Sequence, residues 1–155
     1  IGNTDSVETT APDEILYTDP KQAKDFIEKT GIDCLAIAIG TCHGIYPKDK
    51  KPELRIDILD KIKAIVDAPL VLHGGSSNKD SEIAKSVEHG VNKINISSDI
   101  KVAYYDKMRE ILQDASLREP NLIQPPCVEA MKKVAYQKID LFKADGKAEL
   151  YWDEI

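Results

Sequence analysis

An α/β fold built on a parallel sheet is what this sequence predicts, and three observations carry the expectation. Short apolar runs bounded by Gly or Pro recur along the chain. Segments with apolar residues at helical spacing lie between them, and the two kinds alternate until a last pair of helices. Strands buried on both faces read as continuous hydrophobic runs, and their alternation with helices marks a parallel sheet.

Taken in order, residues 1–16 are polar, rich in Thr, Asp and Glu, and lack hydrophobic periodicity, which predicts a mobile loop. Thr18-Asp19-Pro20 opens a helix, with Thr or Asp as its cap and Pro in the first turn, where no N–H is needed. Ala23, Phe26 and Ile27 form its stripe and Gly31 ends it. Residues 34–39 make the first strand, closed by Gly40. Beyond Pro47 and Pro52, the spacing of Ile56, Leu59, Ile62 and Ile65 predicts a helix over 54–66. Pro69 introduces the second strand, Leu70-Val71-Leu72, and Gly74-Gly75-Ser76-Ser77-Asn78 reads as loop. Ile83, Ala84 and Val87 mark a helix stopped by Gly90. The third strand covers 92–96 and runs into Ser97-Ser98-Asp99, from which a helix carries Ile100, Ala103, Tyr104, Met108 and Ile111. Pro120, Pro125 and Pro126 read as breaks before a final amphipathic helix over about 127–142, ended by Asp145-Gly146. No linker divides the chain, so 1–155 reads as part of one domain.

Composition narrows the function. The length of 155 residues suits one domain able to bury a core. Against 27 Asp and Glu stand 21 Lys and Arg, interspersed, for a net charge of −6, which leaves no footprint for nucleic acid or an anionic membrane. The apolar run 34–39 is far short of the ~20 residues a bilayer requires. The three cysteines form no C-x-x-C or finger pattern, so a reduced, cytoplasmic setting is expected, with Cys34 and Cys127 as buried packing residues. Ile1-Gly2-Asn3-Thr4-Asp5 carries no initiator Met, signal or tag, and the motifs below predict a piece of a longer protein.

The chemistry gathers where the strands end. The first closes with Gly40-Thr41-Cys42-His43-Gly44, the second with His73-Gly74-Gly75-Ser76, the third with Asn95-Ile96-Ser97-Ser98. Carboxyl ends of parallel strands are where α/β folds bind ligands. His43 and His73 lie at equivalent positions, so two readings stand: hydrogen-bonding loop histidines, or imidazoles sharing a zinc ion about 2.0–2.1 Å away, with a third ligand still to be supplied. His89, before Gly90 at a helix end, reads as a cap. Gly44, Gly74-Gly75-Ser76 and Ser97-Ser98 suit an anion, through backbone N–H nests and helix amino ends, or are turn chemistry alone. Cys42 and His43 are adjacent on an extended segment and point apart, which argues against a nucleophilic dyad.

Together these residues resemble the class II, zinc-dependent ketose-bisphosphate aldolases, the fructose- and tagatose-bisphosphate aldolase family. The matching stretches are Tyr17-Thr18-Asp19-Pro20, Leu35-Ala36-Ile37-Ala38-Ile39-Gly40-Thr41-Cys42-His43-Gly44, Pro69-Leu70-Val71-Leu72-His73-Gly74-Gly75-Ser76 and Gly90-Val91-Asn92-Lys93-Ile94-Asn95-Ile96, in family order. The resemblance implies a (β/α)8 TIM barrel of which this chain is the later portion, holding about the last three strands, with 1–16 as a mobile active-site loop. A companion segment on the order of 100 or more residues is then expected, since such barrels run to about 250.

The resemblance also implies roles. His43 and His73 match zinc ligands. Gly44, Gly74, Gly75, Ser76, Asn95, Ile96, Ser97 and Ser98 match the site for the phosphate of dihydroxyacetone phosphate, with Asn95 also orienting substrate hydroxyls. A monovalent cation, Na+ or K+, belongs beside the same glycines. The third zinc His and its neighbouring Asp fall outside these residues. Where the family has a loop Glu as acid/base, Asp5 is the nearest match and Glu8 the fallback. Ser97 stands where fructose-specific members often carry Asp, which is closer to the tagatose-type branch or to less characterised sugar-phosphate aldolases. The implied activity is that of a lyase of carbohydrate metabolism, cleaving a ketose (bis)phosphate reversibly, within a homo-oligomer such as a dimer or tetramer. Rival readings are a catalytically altered sugar-phosphate-binding barrel and another metal-dependent barrel enzyme such as a hydrolase. The latter predicts more strand-end carboxylates than Asp99.

Overall fold

The computed structural model describes residues 16–41, 53–76 and 78–150. The chain divides into two compact units, Ile1–Ile96 and Ser97–Ile155. The first holds α1 (Pro20–Thr30), β1 (Leu35–Ile37), α2 (Ile56–Lys63), β2 (Leu70–Leu72), α3 (Asp80–Glu88) and β3 (Val91–Ile94). The second holds α4 (Ser98–Ile111) and α5 (Pro120–Leu141). The alternation expected from the apolar runs is therefore present. Among the described residues the strands form one parallel sheet in the order β1-β2-β3.

Local chemistry explains the helix ends. The Asp19 carboxylate accepts from Gln22 N–H at 2.9 Å and Pro20 takes the first helical position, so two of the helix's orphan donors need no other partner. At the other end Gly31 N–H donates to Ile27 O. Just before α1, Thr18 is tied to the end of β1: its N–H donates to Ala38 O (2.9 Å) and its Oγ1 accepts from Ala38 N–H (2.8 Å). Arg55, ahead of α2, donates its backbone N–H to Ile39 O, and its guanidinium grips Asp57 through Nε and Nη2 at 2.7 and 2.8 Å. That grip holds the Asp57 carboxyl below its ordinary range.

The core of the first unit is aliphatic. Ile37, Ile39, Leu70 and Leu72 are buried with Leu59 and Ile62 of α2, Ile83 of α3 and Ala23 of α1. Leu54 and Val66, which flank α2, are buried too, so the expected helix over 54–66 is shorter at both ends while its apolar reach is as read.

Several expectations are corrected. Cys34 is exposed rather than buried, because it precedes the strand instead of lying within it. β1 is not buried on both faces: Ala36 is exposed while Ile37 is buried. The third strand starts at Val91, not Asn92. Pro125 and Pro126 do not break the chain: α5 starts at Pro120 and runs through both. Proline's φ is already helical, and the carbonyls left without N–H partners belong to Asn121 and Leu122, both exposed residues near the helix start, where solvent access lowers the cost of the lost bonds. Cys127, one residue on, is fully buried as expected and donates its Sγ to Ile123 O at 3.2 Å. In the second unit α4 packs against α5, and Lys138 pairs with Asp99 at 3.2 Å. Among the described residues no helix is long and apolar enough to cross a membrane.

Candidate functional site

The site is built by register. Leu70 pairs with Val91, Val71 with Lys93 and Leu72 with Ile94, so β3 holds one residue more than β2 between its first two pairs. That surplus residue is Asn92, whose Oδ1 accepts from Leu70 N–H at 3.0 Å and thereby satisfies a donor beside the irregularity. The bulge resolves a conflict written in the chain. Val91, Ile94 and Ile96 are apolar, but three positions separate the first two, and a regular strand would send them to opposite faces. With the extra residue absorbed, Ile94 stays on the face of Leu72, while Lys93 and Asn95 join Val71 and His73 on the other. Sequence reading missed this device, although the odd spacing of the apolar residues announces it.

His73 and Asn95 consequently stand opposite one another just past the paired ends of β2 and β3, where Asn95 N–H still donates to Leu72 O at 3.1 Å. Their side chains touch: Asn95 Nδ2 lies 3.2 Å from His73 Nδ1. Lys93 Nζ donates to Asn95 Oδ1 from the same face of β3. His73 is half-buried and Asn95 exposed.

The turn after His73 is shaped by its glycines. Gly74 has φ +67°, a left-handed conformation that a side chain resists. Gly75 is buried, and a Cβ there would come 2.8 Å from Ile94 Cγ2 and 3.1 Å from Ile96 Cδ1, so the turn lies directly on the apolar face of β3. Asn78, not singled out from sequence beyond its place in the loop, clamps the turn by donating Nδ2 to Gly74 O (2.8 Å) and Ser76 O (3.3 Å). Ser76 is buried.

The structure thus brings together His73, Gly74, Gly75, Ser76, Asn95 and Ile96. Ser97 and Ser98 open the second unit, Ser97 as the residue before α4 and Ser98 as its first. His43, Gly44, Asp5 and Glu8 lie outside the described residues. Among the described residues no group of three His, Cys, Asp or Glu side chains could hold a metal ion. His73 by itself has the donor chemistry zinc takes, an imidazole at a strand end whose ring is held by a neighbour, so the residue fits the implied metal as one ligand of a set. His89 occupies the cap position of α3, as read, and its Nδ1 also meets Asp60 Oδ1 at 2.6 Å, joining α3 to α2.

The chain is similar to known proteins in sequence and in fold. A family model described as fructose-bisphosphate aldolase class-II matches residues 1–147. A D-tagatose-1,6-bisphosphate aldolase subunit, GatY, from Klebsiella oxytoca is 37% identical over 135 residues, 86% of this chain and 47% of its own length. The crystal structure of the YdjI aldolase from Escherichia coli K12 superposes with a TM-score of 0.76 at 39% identity, covering 85% of this chain and 48% of that one. A solved protein from Coccidioides immitis reaches 0.81 at 30% identity, covering 96% and 51%. The chain spans about half the length of the relatives it matches.

Proposed function

The chain belongs to the fructose-bisphosphate aldolase class-II family, and from that premise we propose that it forms the later part of a (β/α)8 barrel that cleaves a ketose bisphosphate reversibly to dihydroxyacetone phosphate and an aldehyde. The observation that carries the reading is the facing pair His73 and Asn95 at the carboxyl ends of adjacent parallel strands, beside a glycine turn. The remaining strands, the third zinc His and its neighbouring Asp would come from a segment outside these residues. A homo-oligomer in a cytoplasmic setting completes the proposal.

His43 and His73 would hold zinc, and the bound metal would polarise the substrate ketone as a Lewis acid. The chain's own residues do the rest. Asn95, its amide oxygen held by Lys93, orients a substrate hydroxyl. Gly74, Gly75 and Ser76 would cradle the phosphate through backbone N–H groups, the family resemblance assigns Gly44, Ile96, Ser97 and Ser98 to the same role, and a monovalent cation would sit by the glycine turn. This anchoring positions the reacting carbon rather than making bonds. A carboxylate, Asp5 or failing it Glu8, takes and returns the proton at the carbon next to the ketone.

Tagatose 1,6-bisphosphate is the favoured substrate over the fructose isomer, on the strength of Ser97 and the similarity to GatY. The test uses the intact protein. Zinc content and cleavage of both bisphosphates are measured for wild type and His73→Ala. Loss of the metal ligand should remove bound zinc and lower turnover on the order of a thousandfold, equivalent to several kcal/mol of transition-state stabilisation. Normal zinc in the variant rejects the ligand assignment, and a zinc-loaded wild type that cleaves neither sugar rejects the aldolase reading.

A further inference from the structure

We infer that Lys93 is a positioning residue: by donating to Asn95 Oδ1 it fixes which way that amide points, and through the amide it selects the tautomer of His73. An amide's oxygen and nitrogen ends are nearly alike in shape, so packing alone does not tell them apart. An ammonium does, because it has three donors and no acceptor, and its bond to a carbonyl oxygen is charge-assisted and therefore the stronger of the two that Asn95 makes. With Oδ1 turned to Lys93, Nδ2 is left facing His73 Nδ1, 3.2 Å away. An N–H aimed at a ring nitrogen requires that nitrogen to offer its lone pair. The neutral imidazole is thereby held with its proton on Nε2 and its lone pair on Nδ1.

The strand irregularity makes this possible. Lys93 and Asn95 are two positions apart, so they share a face, and the surplus Asn92 puts that face on the same side as His73. Without the bulge, Lys93 would fall beside Leu72. Three residues on two strands then form one directed chain of donors, from ammonium to amide to imidazole. Resting on the aldolase reading, the consequence is that Nδ1 is the nitrogen made ready for the metal, with the Asn95 N–H as the group that yields when the ion arrives. The tautomer itself is independent of that reading.

The experiment reads the ring directly in the intact protein. The protein is labelled with 15N-histidine, stripped of metal and held near pH 8, above the imidazole's ordinary pKa of about 6.5. Long-range 1H–15N correlation spectra are recorded, with the His73 signals identified by their absence in His73→Gln. Wild type should show the Nε2–H tautomer alone. Lys93→Met should lose that single pattern and show both tautomers, and Lys93→Arg, still a pure donor, should restore it. Asn95→Asp, which has no N–H to offer, should move the proton to Nδ1. A wild type with the proton on Nδ1, or a Lys93→Met spectrum identical to wild type, overturns the inference. Cleavage by zinc-loaded wild type is assayed separately: intact cleavage with either of those spectra rejects Lys93 alone, and absent cleavage with the expected spectra rejects the aldolase reading alone.

Discussion

β2 and β3 are neighbours in one sheet, of three and four residues, yet they do opposite work. Every residue of β2 is buried, and Leu70 and Leu72 have no exposed surface at all. β3 buries Val91 but leaves Asn92 and Lys93 exposed, carries an extra residue and is followed at once by the polar Asn95. β2 holds the sheet together and delivers a single functional group, His73, at its tip. β3 gives up regular pairing in exchange for a polar face. The difference teaches that in this fold the strand supplying cohesion and the strand supplying orientation are separate, and that the two meet only at their ends.

Substitutions on the two strands should therefore fall on different scales. Leu72→Ala removes a fully buried side chain and should cost about 2–5 kcal/mol of stability, whereas Lys93→Ala should stay within about 0.5 kcal/mol. Denaturant midpoints at constant slope measure both, and equal losses would erase the distinction between the strands. Gly75→Ala probes the place where the turn after β2 rests on β3: the new methyl meets Ile94 Cγ2 at 2.8 Å and should cost about 1–3 kcal/mol. In the double variant with Ile94→Ala, the cost of the glycine change should largely vanish, a coupling that a double-mutant cycle reads. Smaller than the glycine change is Asn92→Ala, which leaves Leu70 N–H without its 3.0 Å partner and should cost about 1 kcal/mol. A neutral result there would mean that the backbone closes the gap unaided.

Much of this was legible before any coordinates. Apolar runs and helix spacing gave the order of elements and the parallel sheet, because strand burial and helix amphipathicity impose different periods on the same chain. Asp19-Pro20 and Gly31 marked the ends of α1 by chemistry that acts within a few residues. What stayed hidden was decided at a distance. The exposure of Cys34 depends on where β1 starts to pair, and the unbroken run of α5 through Pro125-Pro126 depends on which carbonyls face water. For the site, the motifs identified His73, Gly74, Gly75 and Asn95 one at a time, while the contact between His73 and Asn95 follows from a register that no single motif contains. Asn78 reads only as part of a loop and Lys93 only as part of the third strand and its motif, because their role lies in what they hold rather than in what they are.

The irregularity at Asn92 bears on changes of chain length as well as of composition. β3 already stores one spare residue, so a deletion of Asn92 would leave Lys93 beside Val71 and Ile94 beside Leu72, and the tip of the strand would keep its orientation. An insertion between Lys93 and Asn95 has no such slack to draw on: it would rotate the amide to the far side of the sheet, away from its imidazole. Within a few positions of one another, then, the strand has a spot where losing a residue is absorbed and a spot where gaining one silences the site. Gaps aligned across relatives of this chain should respect that boundary.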